Sequence, residues 1–196
     1  MKKGINKNFF NSVGVFASTL LITAMAAYIY SPVSGSHADG VTTKITAGVS
    51  TVASITVDTE ELGFNVVPTG DGAFSSGAVT ATVQTNNEAG YSLYFSSVDN
   101  ATNMVHEKSS ISNVIASDFS GTVTSTAMAA NKWGYSTDNS KYAKIPTASS
   151  PAKIKNVDHY PADNELSSKV YIGAKISNKI PSGNYTKSVF FSVVAN

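Results

Sequence analysis

Two dipeptides set a histidine beside a carboxylate, His106-Glu107 and Asp158-His159, and a third histidine, His37, stands near the N-terminus. An imidazole with a carboxylate in reach can shuttle a proton or hold a metal. Neighbours on a chain usually point apart, however, so these dipeptides predict surface loops rather than a catalytic pair. The serines supply no G-x-S-x-G elbow, and Ser-x-x-Lys occurs only as a Ser-rich composition produces it. No phosphate-cradling glycine loop with a lysine is present. The expectation is a protein that is not an enzyme, with no catalytic or cofactor-binding residue and no cofactor.

Oxygen ligands for calcium occur at Thr69-Gly70-Asp71-Gly72, Asp99-Asn100 and Asp138-Asn139. None carries the alternating acidic series of an EF-hand or a nonapeptide repeat. Turn formation by Asp and Asn accounts for all three, so no metal ligand is assigned. Trp133, Tyr135 and Tyr142, with Tyr91, are the aromatics that could stack on a sugar, and they nominate a carbohydrate-binding face. The competing assignment puts Trp133, the single tryptophan, at the centre of a core, with Gly134 allowing close packing. A covalent Lys44–Asn196 isopeptide link is the remaining chemistry; it needs both side chains buried beside a carboxyl group, and solvated side chains are the simpler expectation.

These residues sit on a chain of 196 residues, long enough to bury a core without disulfides or metals. The absence of cysteine excludes a disulfide framework, thiol chemistry and lipid attachment at a lipobox. Arginine is absent too. Lys2, Lys3 and Lys7 precede the hydrophobic N-terminal run and all 13 acids follow it, so the remainder carries 11 lysines against 13 acids, a net charge of −2. Such a domain has no electrostatic footprint for nucleic acid.

Residues 1–38 read as a targeting segment. Three lysines form a positive n-region, Val13 to Tyr30 is uncharged and mostly apolar, and Ser36-His37-Ala38 predicts signal cleavage after Ala38. The alternative is a retained anchor crossing the membrane through residues 8–30. Either reading puts residues 39–196, a single domain, outside the cytoplasmic membrane, secreted or at the cell surface.

From Gly40 onward the pattern is strands and turns. Val49, Ala53, Ile55 and Val57 alternate with Ser50, Val52, Ser54 and Thr56, and Leu62, Phe64 and Val66 continue the period of two. Val79, Ala81 and Val83, the loop Asn86 to Gly90, and Tyr91, Leu93 and Phe95 predict a hairpin. The segment Thr102 to Lys108 predicts a helical turn or a loop. Tyr135 and Tyr142 flank the Asp138-Asn139 turn of a second strand pair. Val170 to Ile176, the turn Pro181-Ser182-Gly183, and Tyr185, Val189, Phe191 and Val193 predict a terminal hairpin that closes the fold. The resulting eight to ten strands predict an all-β fold, an antiparallel β-sandwich of Ig-like or jelly-roll-like type, preceded by an N-terminal signal or anchor helix.

The Tyr171-x-Gly173 and Pro181-Ser182-Gly183-x-Tyr185-Thr186 pattern, followed by alternating Val and Phe, resembles the last strands of secreted bacterial β-sandwich proteins, spore-coat-U and fimbrial-type domains among them. With Asn86-Asn87 to Tyr91 and Asn131-x-Trp133-Gly134-Tyr135-Ser136, it also resembles uncharacterised surface proteins of small-genome bacteria with Gram-positive-type envelopes. The chain departs from the fimbrial families in having no cysteine and no obvious missing-strand signature. The resemblance implies a structural or adhesive role at the cell surface toward a protein or glycan partner. The alternatives are a carbohydrate-binding module and a self-associating, pilin-like fibre subunit.

Overall fold

In the computed structural model, Lys44 and residues 46–196 are described, and the predicted signal or anchor segment lies outside them. The chain divides into two units, Met1–Thr46 and Ala47–Asn196, and the second holds every named strand. Among the described residues no helix is long and apolar enough to cross a membrane.

Among the described residues twelve strands follow one another: β1 (Ala53–Val57), β2 (Ala73–Thr85), β3 (Tyr91–Ser97), β4 (Met104–His106), β5 (Val114–Ile115), β6 (Thr122–Thr124), β7 (Lys132–Ser136), β8 (Lys141–Ala143), β9 (Ala152–Val157), β10 (Ser167–Ile176), β11 (Tyr185–Thr186) and β12 (Val189–Ala195). A single turn of 3-10 helix, Asp163–Glu165, precedes β10. The strands form a six-stranded sheet in the order β1-β2-β10-β7-β8-β6 and two three-stranded sheets, β12-β3-β9 and β11-β4-β5. All named pairings are antiparallel.

The longest ladder joins β2 to β10, from Ser167 opposite Thr82 to Ile176 opposite Ala73. On β10, Val170, Ile172, Ala174 and Ile176 turn one way into the core, as period two requires. Phe95 of β3, Ile115 of β5 and Trp133 of β7 share that core, and Phe191 of β12 packs against it. A second cluster holds Ala81 and Val83 of β2 against Tyr91 and Leu93 of β3 and Val157 of β9. Side chains from separate sheets thus meet in common apolar clusters, an arrangement consistent with a β-sandwich.

Two predicted hairpins are not hairpins. Strand β2 pairs with β1 and β10, whereas β3 pairs with β12 and β9, so the Asn86–Gly90 loop carries the chain from one sheet to another. Five residues reach about 16 Å, more than the ~10 Å between packed sheets. The terminal pair separates likewise: β10 lies in the six-stranded sheet, β11 pairs with β4, and β12 is an outer strand beside β3. Alternation is the same in both arrangements, because inward residues lie side by side in a hairpin and face to face in an arch. The β7–β8 pair is a hairpin, with Tyr135 opposite Ala143.

Three smaller corrections concern strand limits. Part of the Thr102–Lys108 segment is a strand, β4, which pairs with nearby β5 and with β11, far away in sequence. Residues 46–52 are exposed and outside the sheet, so the first strand begins at Ala53. Leu62, Phe64 and Val66 are half-buried against the core and alternate with exposed Gly63, Asn65 and Val67, yet the segment belongs to no strand. It is an unpaired strap across the apolar interior.

Candidate functional site

The histidines go to separate places. His106, on β4, is buried, and its ring packs edge-on to Tyr185 at 4.9 Å. Its Nδ1 accepts from the Lys108 backbone N–H at 2.9 Å, which leaves the proton on Nε2 to donate to the Ser182 carbonyl at 3.2 Å. Gly183 lies so close to this ring, with φ of +142°, that a Cβ there would enter it. Both nitrogens are therefore committed to backbone groups. His159 is exposed, with Nδ1 3.2 Å from Asp158 and Nε2 3.0 Å from Glu165. Sequence reading missed Glu165. Its place in the 3-10 turn folds the carboxylate back onto the Ala162 N–H at 3.0 Å and so toward His159.

That N–H, followed by the contact with His159, holds the Glu165 carboxyl below its usual range. The Asp158 and Glu165 hydrogen bonds in turn raise His159. The backbone carbonyl of Glu165 accepts from the Tyr91 hydroxyl at 2.5 Å and from Lys155 Nζ. The cluster therefore clamps β3 and β9 to the loop before β10.

At two of the three loops that carry oxygen ligands, the carboxylate is already engaged within the protein. Asp138 Oδ1 accepts from the Ser136 hydroxyl at 2.8 Å and from the N–H groups of Ser140 and Lys141 at 2.8 and 3.0 Å, which lowers its pKa steeply. Asp99 Oδ1 accepts from Lys187 Nζ at 2.6 Å and Ala101 N–H at 2.9 Å. Asp71 is exposed. As for the isopeptide link, Lys44 is exposed and Asn196 Nδ2 donates to the Val157 and Ala89 carbonyls, with no carboxylate among its partners.

The three nominated aromatics do not share a face. Trp133 is 1% exposed in the core, its indole N–H donating to the Thr102 carbonyl at 2.9 Å. Tyr135, two residues on, points the same way and packs on Phe95 at 5.0 Å. Tyr142 is buried on the other side of the sheet, edge-on to Phe74 at 5.1 Å. Gly173 lies between core-facing Ile172 and Ala174, and its missing side chain leaves room there: a Cβ would sit 2.5 Å from Phe74 and 2.7 Å from Tyr142. Neither Trp133 nor Tyr142 offers a ring face to solvent.

Tyr135 lines an open depression of about 530 Å³ with Thr102, Asp118, Lys144, Thr147 and Ser150. Partial burial raises the Tyr135 hydroxyl pKa, and Asp118 is lowered by its contact with Lys132. Hydroxyls, one carboxylate, one ammonium and a tyrosine edge are groups that can bind a polar, neutral ligand.

A second surface is the outer face of the β12-β3-β9 sheet, which no sequence signal had marked. Phe190 and Val194, 56% and 55% exposed, stand on the face opposite inward Phe191 and Val193, beside the small side chains Ser96 and Ser92 in the next strand. Tyr94 lies between them opposite Ser192, with Lys153 Nζ 5.8 Å from its ring centroid. Phe190 also borders a depression of about 380 Å³ with Val98, Ala148 and Pro151. Large apolar groups over serines make a ridged face suited to weak, wet contact with another surface. Comparison with protein-family models, with curated proteins and with solved structures gives no match.

Proposed function

We propose that this chain is an exported cell-surface subunit with a structural or adhesive role, an Ig-like or jelly-roll-like sandwich that acts without catalysis. The observation that carries this reading is the apolar outer face of the β12-β3-β9 sheet, where Phe190 and Val194 remain exposed in a chain with only 14% charged residues. The commitment of both His106 nitrogens to backbone groups supports a non-catalytic role. Cells displaying the chain with Phe190→Ser and Val194→Ser together should lose several-fold in adhesion while the purified protein keeps its β-type circular dichroism. Unchanged adhesion would contradict the assignment.

Two further readings rest on separate observations. The Tyr135 depression supports carbohydrate binding, and isotherms against a polysaccharide panel should then weaken with Tyr135→Leu or Asp118→Asn. An unpaired stretch along β2 supports a self-assembling, pilin-like subunit, since an open strand edge pairs readily with another chain.

A further inference from the structure

The walls of the Tyr135 depression are tied to the sheets rather than hung from a free loop. Ile145 donates its N–H to the buried Ser117 hydroxyl at 2.7 Å, and the carbonyl of the next residue, Pro146, accepts from the Ser97 N–H at 2.8 Å. Thr102 is held through its carbonyl by the Trp133 indole N–H at 2.9 Å. The loop that carries Thr147 and Ser150 is pinned where Ala148 N–H meets the Asp99 carbonyl at 3.1 Å and Ser149 N–H meets Asn100 Oδ1 at 3.0 Å. A lining that is already ordered loses little freedom when a ligand enters. The volume, about 530 Å³, suits a small-molecule site.

The polar groups of this lining differ in what they have left to offer. Tyr135 is half-buried, which keeps its hydroxyl protonated, and among the described residues that hydroxyl has no hydrogen-bond partner. It is a free donor. Asp118 places one carboxylate oxygen on Lys132, a contact that holds it ionised, and its other oxygen remains an acceptor. Lys144 is exposed and has no carboxylate partner among the described residues. Two ammonium groups thus stand against one carboxylate, and the depression carries a positive charge on a domain whose net charge is −2. A neutral sugar would engage the hydroxyls and Asp118 and leave Lys144 without a counter-charge.

We infer that the Tyr135 depression takes a sugar bearing one negative charge, a carboxylate or a phosphodiester, with the acidic group on Lys144 and the sugar hydroxyls on Asp118 and Tyr135. The inference rests on the carbohydrate-binding reading and adds the charge of its ligand. A single ammonium acts as a point charge without the fork of an arginine, so it answers either acid.

Binding isotherms of the full-length chain at low salt, against pairs of polymers that differ in charge, test this. Polygalacturonate and hyaluronate are each compared with their methyl esters, and phosphomannan with mannan. The acidic member of at least one pair should bind several-fold more tightly than its neutral partner, and the pair that does so tells carboxylate from phosphodiester. That preference should shrink as salt is added. It should disappear in Lys144→Gln, return in Lys144→Arg and stay intact in Lys179→Gln, which changes an exposed lysine outside the lining. Tyr135→Leu should weaken both members of a pair. Equal binding of acidic and neutral members, or a preference that survives Lys144→Gln, overturns the inference and leaves carbohydrate binding standing. A chain that binds none of the polymers overturns both.

Discussion

The β7–β8 hairpin and the β2–β3 arch carry the same kind of sequence, an alternating run, a polar loop and a second alternating run, and they do opposite things. In the hairpin the turn is self-contained. Asp138 Oδ1 gathers Ser136, Ser140 and Lys141, Asn139 takes φ of +59°, and its side chain accepts from the Tyr142 hydroxyl at 2.8 Å. In the arch the loop leans on distant parts of the chain. Asn87 Nδ2 donates to the Asn196 carbonyl at 2.9 Å, and Gly90, with φ of +79°, packs onto the Val157 carbonyl at the end of β9. Both arms are then held by the segment before β10: Val83 N–H donates to the Leu166 carbonyl at 2.8 Å and Tyr91 to that of Glu165. The hairpin turn is bonded within itself. The arch loop, although Gly90 N–H donates to the Asn87 carbonyl at 3.1 Å and Asn87 Nδ2 to the Gly90 carbonyl at 2.8 Å, is bonded to the rest of the fold as well and delivers its second strand elsewhere.

The contrast is most fragile at Gly90. Alanine there would meet both a positive φ and the Val157 carbonyl, so Gly90→Ala should cost more than about 3 kcal/mol in denaturant unfolding or prevent folding. An unchanged midpoint would mean that the arch does not press on β9. Next comes Tyr91→Phe, which leaves the Glu165 carbonyl one donor short at a buried ring; a loss of about 1 kcal/mol is expected. On the hairpin side, Asp138→Ala should lower the midpoint less than Tyr91→Phe, and its deficit should depend on acid. A carboxyl lowered by folding stabilises above its unfolded value of 3.8 and loses that contribution as pH falls through the lower folded value, so the deficit present at pH 7 should vanish in strong acid.

The smallest effect lies at the clamp of the arch. The His159 imidazole is raised from 6.5, so its contribution is full below that value and fades as pH rises through the folded one; Glu165 is lowered from 4.5, so its contribution is full above that value and fades in acid. The pair is therefore strongest between about 4.5 and 6.5. Its exposure to solvent keeps the effect on stability slight. An NMR titration should find His159 above its ordinary value and return it toward that value in Glu165→Gln, and a titration insensitive to that change would remove the link between His159 and the clamp.

Period two in Val79 to Val83, Tyr91 to Phe95 and Val170 to Ile176 makes the all-β class and the inward residues legible in the amino-acid sequence. Partner choice is not legible there, because inward alternation is identical for strands side by side and strands face to face. Short strands such as β4 and β5 carry too few residues for a period to register. Of the residues nominated for chemistry, Trp133 and Tyr142 are buried on opposite sides of the sheet, which their spacing across a turn cannot reveal. The apolar face at Phe190 and Val194 is hidden because Val189 to Val194 is nearly all apolar, so its exposed members look like core. The edge of β2 is a property of how far β1 extends, and no residue type encodes that.

Whether β2 and β3 belong to different sheets is tested most directly by backbone NOEs on the isotope-labelled protein. Separate sheets require interstrand contacts between β3 and β12, such as Phe95 with Phe191 and Leu93 with Val193, together with Val170 to Val79, and none between Val83 and Leu93 along a shared ladder. A continuous antiparallel ladder from Val79–Val83 to Tyr91–Phe95 would contradict the arch.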